Sequence, residues 1–143
     1  MVQNLNKDIK FGKNAEKIVK PILENIFGEL NNGSTYDNFD FNNDKYYVEH
    51  KQRNVPFGKY NGLFFDLVKY NRYLKLKSEN ENLRFFIVWS CNNGRYIWEF
   101  TEDEIQFDRF TQTRDRGRGV CDTKMINVFN SHIKPLNEFL LEN

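Results

Sequence analysis

Eight apolar residues recurring at three- and four-residue steps constrain this chain more than any other feature. Ala15, Ile18, Val19, Ile22, Leu23, Ile26, Phe27 and Leu30 lie on one stripe of a helix predicted over residues 12–30, and Lys13, Lys17, Lys20 and Glu24 fall largely outside it. Asn14 or the Gly12 region supplies a start, and Gly28 or the Asn31-Asn32-Gly33 cluster a stop. Pro21 lies inside. An interior proline costs about 3 kcal/mol and predicts a kink, or a split near Lys20.

The pattern then changes. Residues 34–41 and 46–53 read as two strands of a hairpin around the turn cluster Asn42-Asn43-Asp44. Residues 62–77 return to helical spacing. Leu83–Ser90 reads as a buried strand, and Asn92-Asn93-Gly94 as a turn into a partner strand, Arg95–Phe100. Thr101 with Glu104 predicts a short helix. Residues 108–124, rich in Arg and Gly, read as a mobile basic loop. Met125–Val128 reads as a short strand and Pro135–Leu141 as a C-terminal helix. The expected class is mixed α/β, a central mixed sheet flanked by helices.

The chain has 143 residues, which fits one domain over 1–143. Apolar residues at 39% and aromatics at 16% provide a core and exclude a disordered chain. No run approaches the ~18–20 apolar residues of a membrane span. The polar N-terminus shows no signal peptide, so an intracellular protein is expected. Cys91 and Cys121 make neither a disulfide framework nor a zinc ligand set. A net charge of +1 excludes a histone-like mass binder of nucleic acid but leaves room for a local basic patch. Twenty Asn against a single Ala indicate A/T-rich coding, as in a virus or phage.

Glu49 and Lys51 stand two apart in a predicted strand and therefore share a face, with Val48 and His50 on the other. The hairpin adds a third group. A two-residue Asn43-Asp44 turn places Asp40 opposite Tyr47 and on the face of Glu49. A four-residue turn keeps that parity, whereas a three-residue turn puts Asp37 there. Asp40, between Phe39 and Phe41, is favoured, with Asp37 the alternative. Two carboxylates on one face suit Mg²⁺, which takes oxygen ligands and keeps several waters. Asp40, Glu49 and the backbone carbonyl of His50 would supply those oxygens. Lys51 would orient or deprotonate a water made acidic by the metal.

The combination of Gly12-x-x-x-Glu16, Asp40 (alternatively Asp37) and Glu49-His50-Lys51 resembles the PD-(D/E)XK nuclease superfamily. The later helix and strands follow that family's order, so the resemblance covers residues 9–100. It implies a restriction-endonuclease-like α-β-β-β-α-β core, and Mg²⁺ or Mn²⁺ bound by Asp40 and Glu49. It also implies a water positioned by Lys51 and a metal site assisted by Glu16. No proline precedes Asp40, since Phe39 stands there. Asp66, Lys69, Tyr70 and Tyr73 echo loosely the Gln-x-x-x-Tyr element of exonuclease-type members. Asp8-x-Lys10 and Asp122-x-Lys124 repeat the spacing without an acid-bearing hairpin. The bland alternative for Glu49 and Lys51 is an exposed ion pair worth roughly 0.2–1 kcal/mol. For Glu16 it is a surface helix charge.

Candidate substrate contacts are Gln52 and Arg53 at the strand end, Lys69 and Tyr70 on the next helix, and Arg114, Arg116 and Arg118 in the basic loop. His50 and His132 read as structural, and Phe85, Phe86, Trp89 and Trp98 as core. The resemblance implies hydrolysis of DNA phosphodiester bonds, with RNA as the alternative polymer. The small size suggests reading of DNA structure (a junction, branch or end) by a homodimer, by analogy with junction resolvases. The rival expectations are an exonuclease of the same superfamily, a non-catalytic nucleic-acid-binding module and a small interaction protein.

Overall fold

A computed structural model describes residues 2–33, 39–115 and 120–142, with side chains over 15–33, 39–106 and 124–142. The first helix, α1 (Val2–Phe27), begins before its apolar stripe and runs through Pro21 as one element. Lys17 and Pro21 are both exposed, so the carbonyl deprived of its N–H partner lies on the watered side of the helix. The anchors Val19, Leu23 and Phe27 are buried on the opposite side. Gly28, at φ +84°, ends the helix, and its N–H donates to the Glu24 carbonyl at 3.0 Å.

The strands are β1 (Asn31–Asn32), β2 (Phe41–Asn42), β3 (Tyr46–Gln52), β4 (Gly62–Asp66), β5 (Arg84–Cys91), β6 (Gly94–Glu99), β7 (Ile105–Asp115), β8 (Val120–Phe129) and β9 (Lys134–Pro135). Helix α2 (Leu67–Glu79) follows β4. One sheet runs β1-β2-β3-β5-β6-β9 and a second runs β4-β8-β7. The β3–β5 pair is parallel, and every other pair is antiparallel. The crossover from β3 to β5 carries β4 and α2.

The larger sheet is covered on both faces. Val48, Phe86, Val88 and Ile97 pack with Val19, Leu23 and Phe27 of α1. On the other face Phe85, Ile87, Trp89 and Trp98 pack with Tyr70 and Tyr73 of α2 and with Leu63, Phe65, Ile126 and Val128 of the second sheet. The four aromatics expected in the core are all buried.

Several expectations change. Residues 62–66 form a strand, not the start of a helix. Leu63 and Phe65 alternate with the half-buried Phe64, and the strand pairs with β8 from Gly62↔Phe129 to Asp66↔Met125. Residues 108–115 and 120–124 are not loop but strand, belonging to the antiparallel pair β7–β8, with a register shift between Asp108 and Gln112; residues 116–119 lie outside the described residues. The Arg, Asp and Gly residues of this stretch mask a period-two run beginning Ile105-Gln106-Phe107-Asp108. The strand expected over 34–41 is described only at β2, since residues 34–38 lie outside the described residues. The C-terminal helix is reduced to a single 3₁₀ turn, Leu136–Glu138, after Pro135. The short helix after Thr101 is a 3₁₀ turn, Glu102–Glu104, with the Thr101 hydroxyl accepting the Asp103 N–H.

Candidate active site

The β2–β3 register decides which acid meets Glu49. Phe41 pairs with Val48 and Asn42 with Tyr47, leaving a four-residue connection rather than the two-residue turn. Asn43 closes it: its side-chain oxygen accepts the N–H groups of Lys45 and Tyr46, both at 2.9 Å. Continued by one position, this register sets Asp40 opposite Glu49, on the same face. Asp37, the alternative acid, lies outside the described residues.

The two acids are stitched across the strands. The Asp40 N–H donates to Glu49 Oε1 at 3.1 Å, and the His50 N–H donates to Asp40 Oδ2 at 2.9 Å. N–H and C=O of one strand residue point the same way, so the His50 carbonyl faces the Asp40 edge as well. Gly33 helps to hold Asp40 there. Its N–H donates to the Asp40 carbonyl at 2.7 Å, and a Cβ at Gly33 would collide with the Phe39 carbonyl.

Two ammonium groups flank Glu49 Oε2: Lys51 Nζ at 3.3 Å and Lys69 Nζ at 3.5 Å. Lys51 comes from the same strand face. Lys69 comes from the first turn of α2, buried to 8% exposure, with Nζ 5.3 Å from the centre of the Phe39 ring. Glu49 is itself only 3% exposed. Burial pushes its pKa up to about 7, with the Asp40 charge acting in the same direction and Lys51 and Lys69 opposing it. The Asp40 carboxyl is also raised, chiefly by burial and then by the charge of Glu16, against the His50 N–H bond and Lys51. Glu16 on α1 therefore lies close enough to Asp40 for its charge to be felt at this centre.

The donor set suits a hard dication. Burial holds both carboxyl groups above their ordinary range, with the charge of Asp40 adding to this at Glu49 and the charge of Glu16 at Asp40, and a cation between the two acids would oppose these shifts. Among the described residues no group of three His, Cys, Asp or Glu side chains gathers, so the protein would offer two carboxylates and a carbonyl.

Other expected site residues are placed differently. Lys69, expected on a substrate face, sits in the acid centre. Tyr70 is 4% exposed and packs against Tyr73 at 5.6 Å between ring centres, so it belongs to the core rather than to a substrate face. Gln52 is exposed at the end of β3. Arg53 donates to the Phe64 carbonyl at 3.3 Å and lies over the Phe64 ring. Arg114 is in β7 opposite Cys121, its side chain outside the described residues, and Arg116 and Arg118 are wholly outside them. The His50 ring points to the α1 face, where Nε2 meets Ser90 Oγ at 2.8 Å. His132, read as structural, has Nδ1 3.8 Å from Glu104 Oε2.

Comparison with protein-family models, with curated proteins and with solved structures finds no match to this chain. Among the described residues no helix is long and apolar enough to cross a membrane.

Proposed function

We propose that the chain is a metal-dependent nuclease that hydrolyses phosphodiester bonds in DNA, on a PD-(D/E)XK-type core. The observation that carries this reading is the pairing of Asp40 with Glu49 across β2 and β3, with Lys51 on the same face. The order α1, β1 to β3, α2, β5, with β3 and β5 parallel, supports it, as does the charge of Glu16 bearing on Asp40.

Asp40, Glu49 and the His50 carbonyl would hold Mg²⁺ or Mn²⁺. When bound, such an ion acidifies a water and neutralises charge on the scissile phosphate. Lys51, the more exposed of the two lysines, would turn from Glu49 to hold that water and the developing charge. Lys69 would keep Glu49 in place. Gln52 and Arg53 would lie along the substrate backbone. Water attacks in line, the bond from phosphorus to the 3′ oxygen breaks, and 5′-phosphate and 3′-hydroxyl ends result. A core this small favours reading of DNA structure, with two copies cutting two strands inside the cell; this last step rests on analogy.

The two ammonium groups on Glu49 favour a second reading. Two lysines and two acids can neutralise one another without a metal, as in a non-catalytic nucleic-acid-binding module of the same fold.

The test is incubation with branched, linear and single-stranded DNA in Mg²⁺, Mn²⁺ or EDTA. Metal-dependent cleavage is expected, reduced at least about 100-fold in Glu49→Gln and Lys51→Ala. Salt-sensitive binding without any cleavage would replace the first reading with the second.

A further inference from the structure

Among the described residues the aromatic rings are buried or half-buried, with one exception. Tyr60 is 55% exposed, the only aromatic among the described residues in the exposed class. It stands at the tip of residues 53–61, the segment joining the end of β3 to the start of β4.

That segment is pinned along its length. The Arg53 N–H donates to the Ser90 carbonyl at 2.9 Å, and the Asn92 N–H to the Val55 carbonyl at 3.0 Å. The Asn93 side chain grips Phe57 twice, accepting its N–H at 2.8 Å and donating to its carbonyl at 3.2 Å. The Phe57 ring stacks on Tyr96 with centres 4.1 Å apart. Beyond the tip, Asn130 donates from its side chain to the Tyr60 carbonyl at 2.6 Å and from its backbone to the Asn61 carbonyl at 3.0 Å. Gly62 then enters β4 so close to the Val128 carbonyl that no Cβ fits. Gly58, at φ +99°, makes the bend.

A backbone this firmly pinned gives up little further entropy when something stacks on the ring it carries. Lys59 completes the tip, its ammonium 5.5 Å from the centre of the Tyr60 ring. An exposed aromatic ring with a cation over it matches a nucleotide: the ring takes the base and the ammonium a flanking phosphate. In the chain, this segment links β3, which carries Glu49 and Lys51, to β4, which leads to Lys69.

We propose that the Lys59–Tyr60 tip binds an unpaired nucleotide of a DNA substrate, with the base stacked on Tyr60. The proposal rests on the nucleic-acid reading above and deepens it, because a site that takes an unpaired base selects branches, frayed ends and single strands over intact duplex.

The experiment measures binding in EDTA, where nothing is cut, to a single strand carrying 2-aminopurine and to a blunt duplex. For Tyr60→Ala, single-strand affinity is expected to fall by roughly tenfold or more, with duplex affinity changing less than about twofold. The quenching of 2-aminopurine is lost as well, and Tyr60→Trp restores both. Lys59→Ala is expected to reduce the salt slope by about 1. Tyr60→Ala binding the single strand as wild type does, or losing both substrates equally, overturns the proposal. Wild type binding neither DNA overturns it together with the nucleic-acid reading. Wild type that binds but never cuts in Mg²⁺ counts against the nuclease alone, and the Tyr60 comparison still decides the stacking site.

Discussion

The proposed chemistry gathers on Glu49, a buried carboxylate between another acid and two lysines. Lys69 is the more deeply buried partner, so its removal should cost more than removal of Lys51. Lys69→Met is expected to lower the unfolding free energy by about 1–3 kcal/mol in urea titration at pH 8. Lys51→Met should cost under about 1 kcal/mol, as for a partly exposed pair; equal losses would contradict this ranking. On the other face His50 is a second buried titratable group, with a pKa lowered from 6.5 to about 4, first by burial and then by Arg95 and Lys51. The unfolded chain protonates this histidine near pH 6.5 and the folded chain only near 4, so its contribution is present above 6.5 and is lost as pH falls between the two. Glu49 has the opposite sign from 4.5 to about 7, since its folded form holds the proton longer. The two partly cancel in wild type. A His50→Gln variant should therefore show less acid destabilisation between pH 6.5 and 4, by on the order of 2 kcal/mol, in denaturant melts taken across that range. An unchanged slope would place His50 outside the pH dependence. Glu49 and Lys51 were legible in the sequence because strand parity depends only on counting by two. The place of Lys69 was not, because nothing local says that the first turn of α2 lies over β3.

At the scale of the element, the β2–β3 hairpin sets the geometry of the acid pair. Counting parity left Asp40 and Asp37 open, because the answer depended on a turn length that three polar residues do not determine. The Asn43 side chain settles it by accepting two N–H groups and fixing a four-residue connection. Gly33 is the second device. Gly33→Ala forces the Phe39 carbonyl away and displaces Asp40 with it. The variant should lose about 1–3 kcal/mol of stability and, at a temperature where it remains folded, cleave at least about tenfold more slowly. Wild-type activity in a folded Gly33→Ala would show that Asp40 needs no such support. The same scale accounts for the largest misreading. Residues 62–66 and 108–115 carry no decisive local signal as strands, and each becomes one by pairing with β8, which joins β4 to β7. The partner of β4 lies some sixty residues downstream, beyond the reach of any window of periodicity.

For the whole molecule, the proposed metal binding would be linked to protonation through the acid pair. At pH 5.5 Glu49 keeps its proton, which a cation must displace; at pH 8 it has already left. The gain in Tm on adding Mn²⁺ is therefore expected to grow from pH 5.5 to 8 and to vanish in Glu49→Gln. A gain independent of pH would remove Glu49 from the ligand set. The sequence by itself determined the first helix, the β3 strand with its Glu-x-Lys face, the β5–β6 hairpin and the aromatic core. Each of these is written in a short-range period of 3.6 or 2, or in a turn signal. Tertiary structure alone decided that Asp40 meets Glu49, that Lys69 joins them from α2, and that Tyr70 is buried while Tyr60 is held out. It also decided that an apparent basic loop completes a second sheet. Those outcomes depend on which segments pair and which helix covers which face, and that choice is made by the burial of apolar surface over the whole chain rather than by any residue's neighbours.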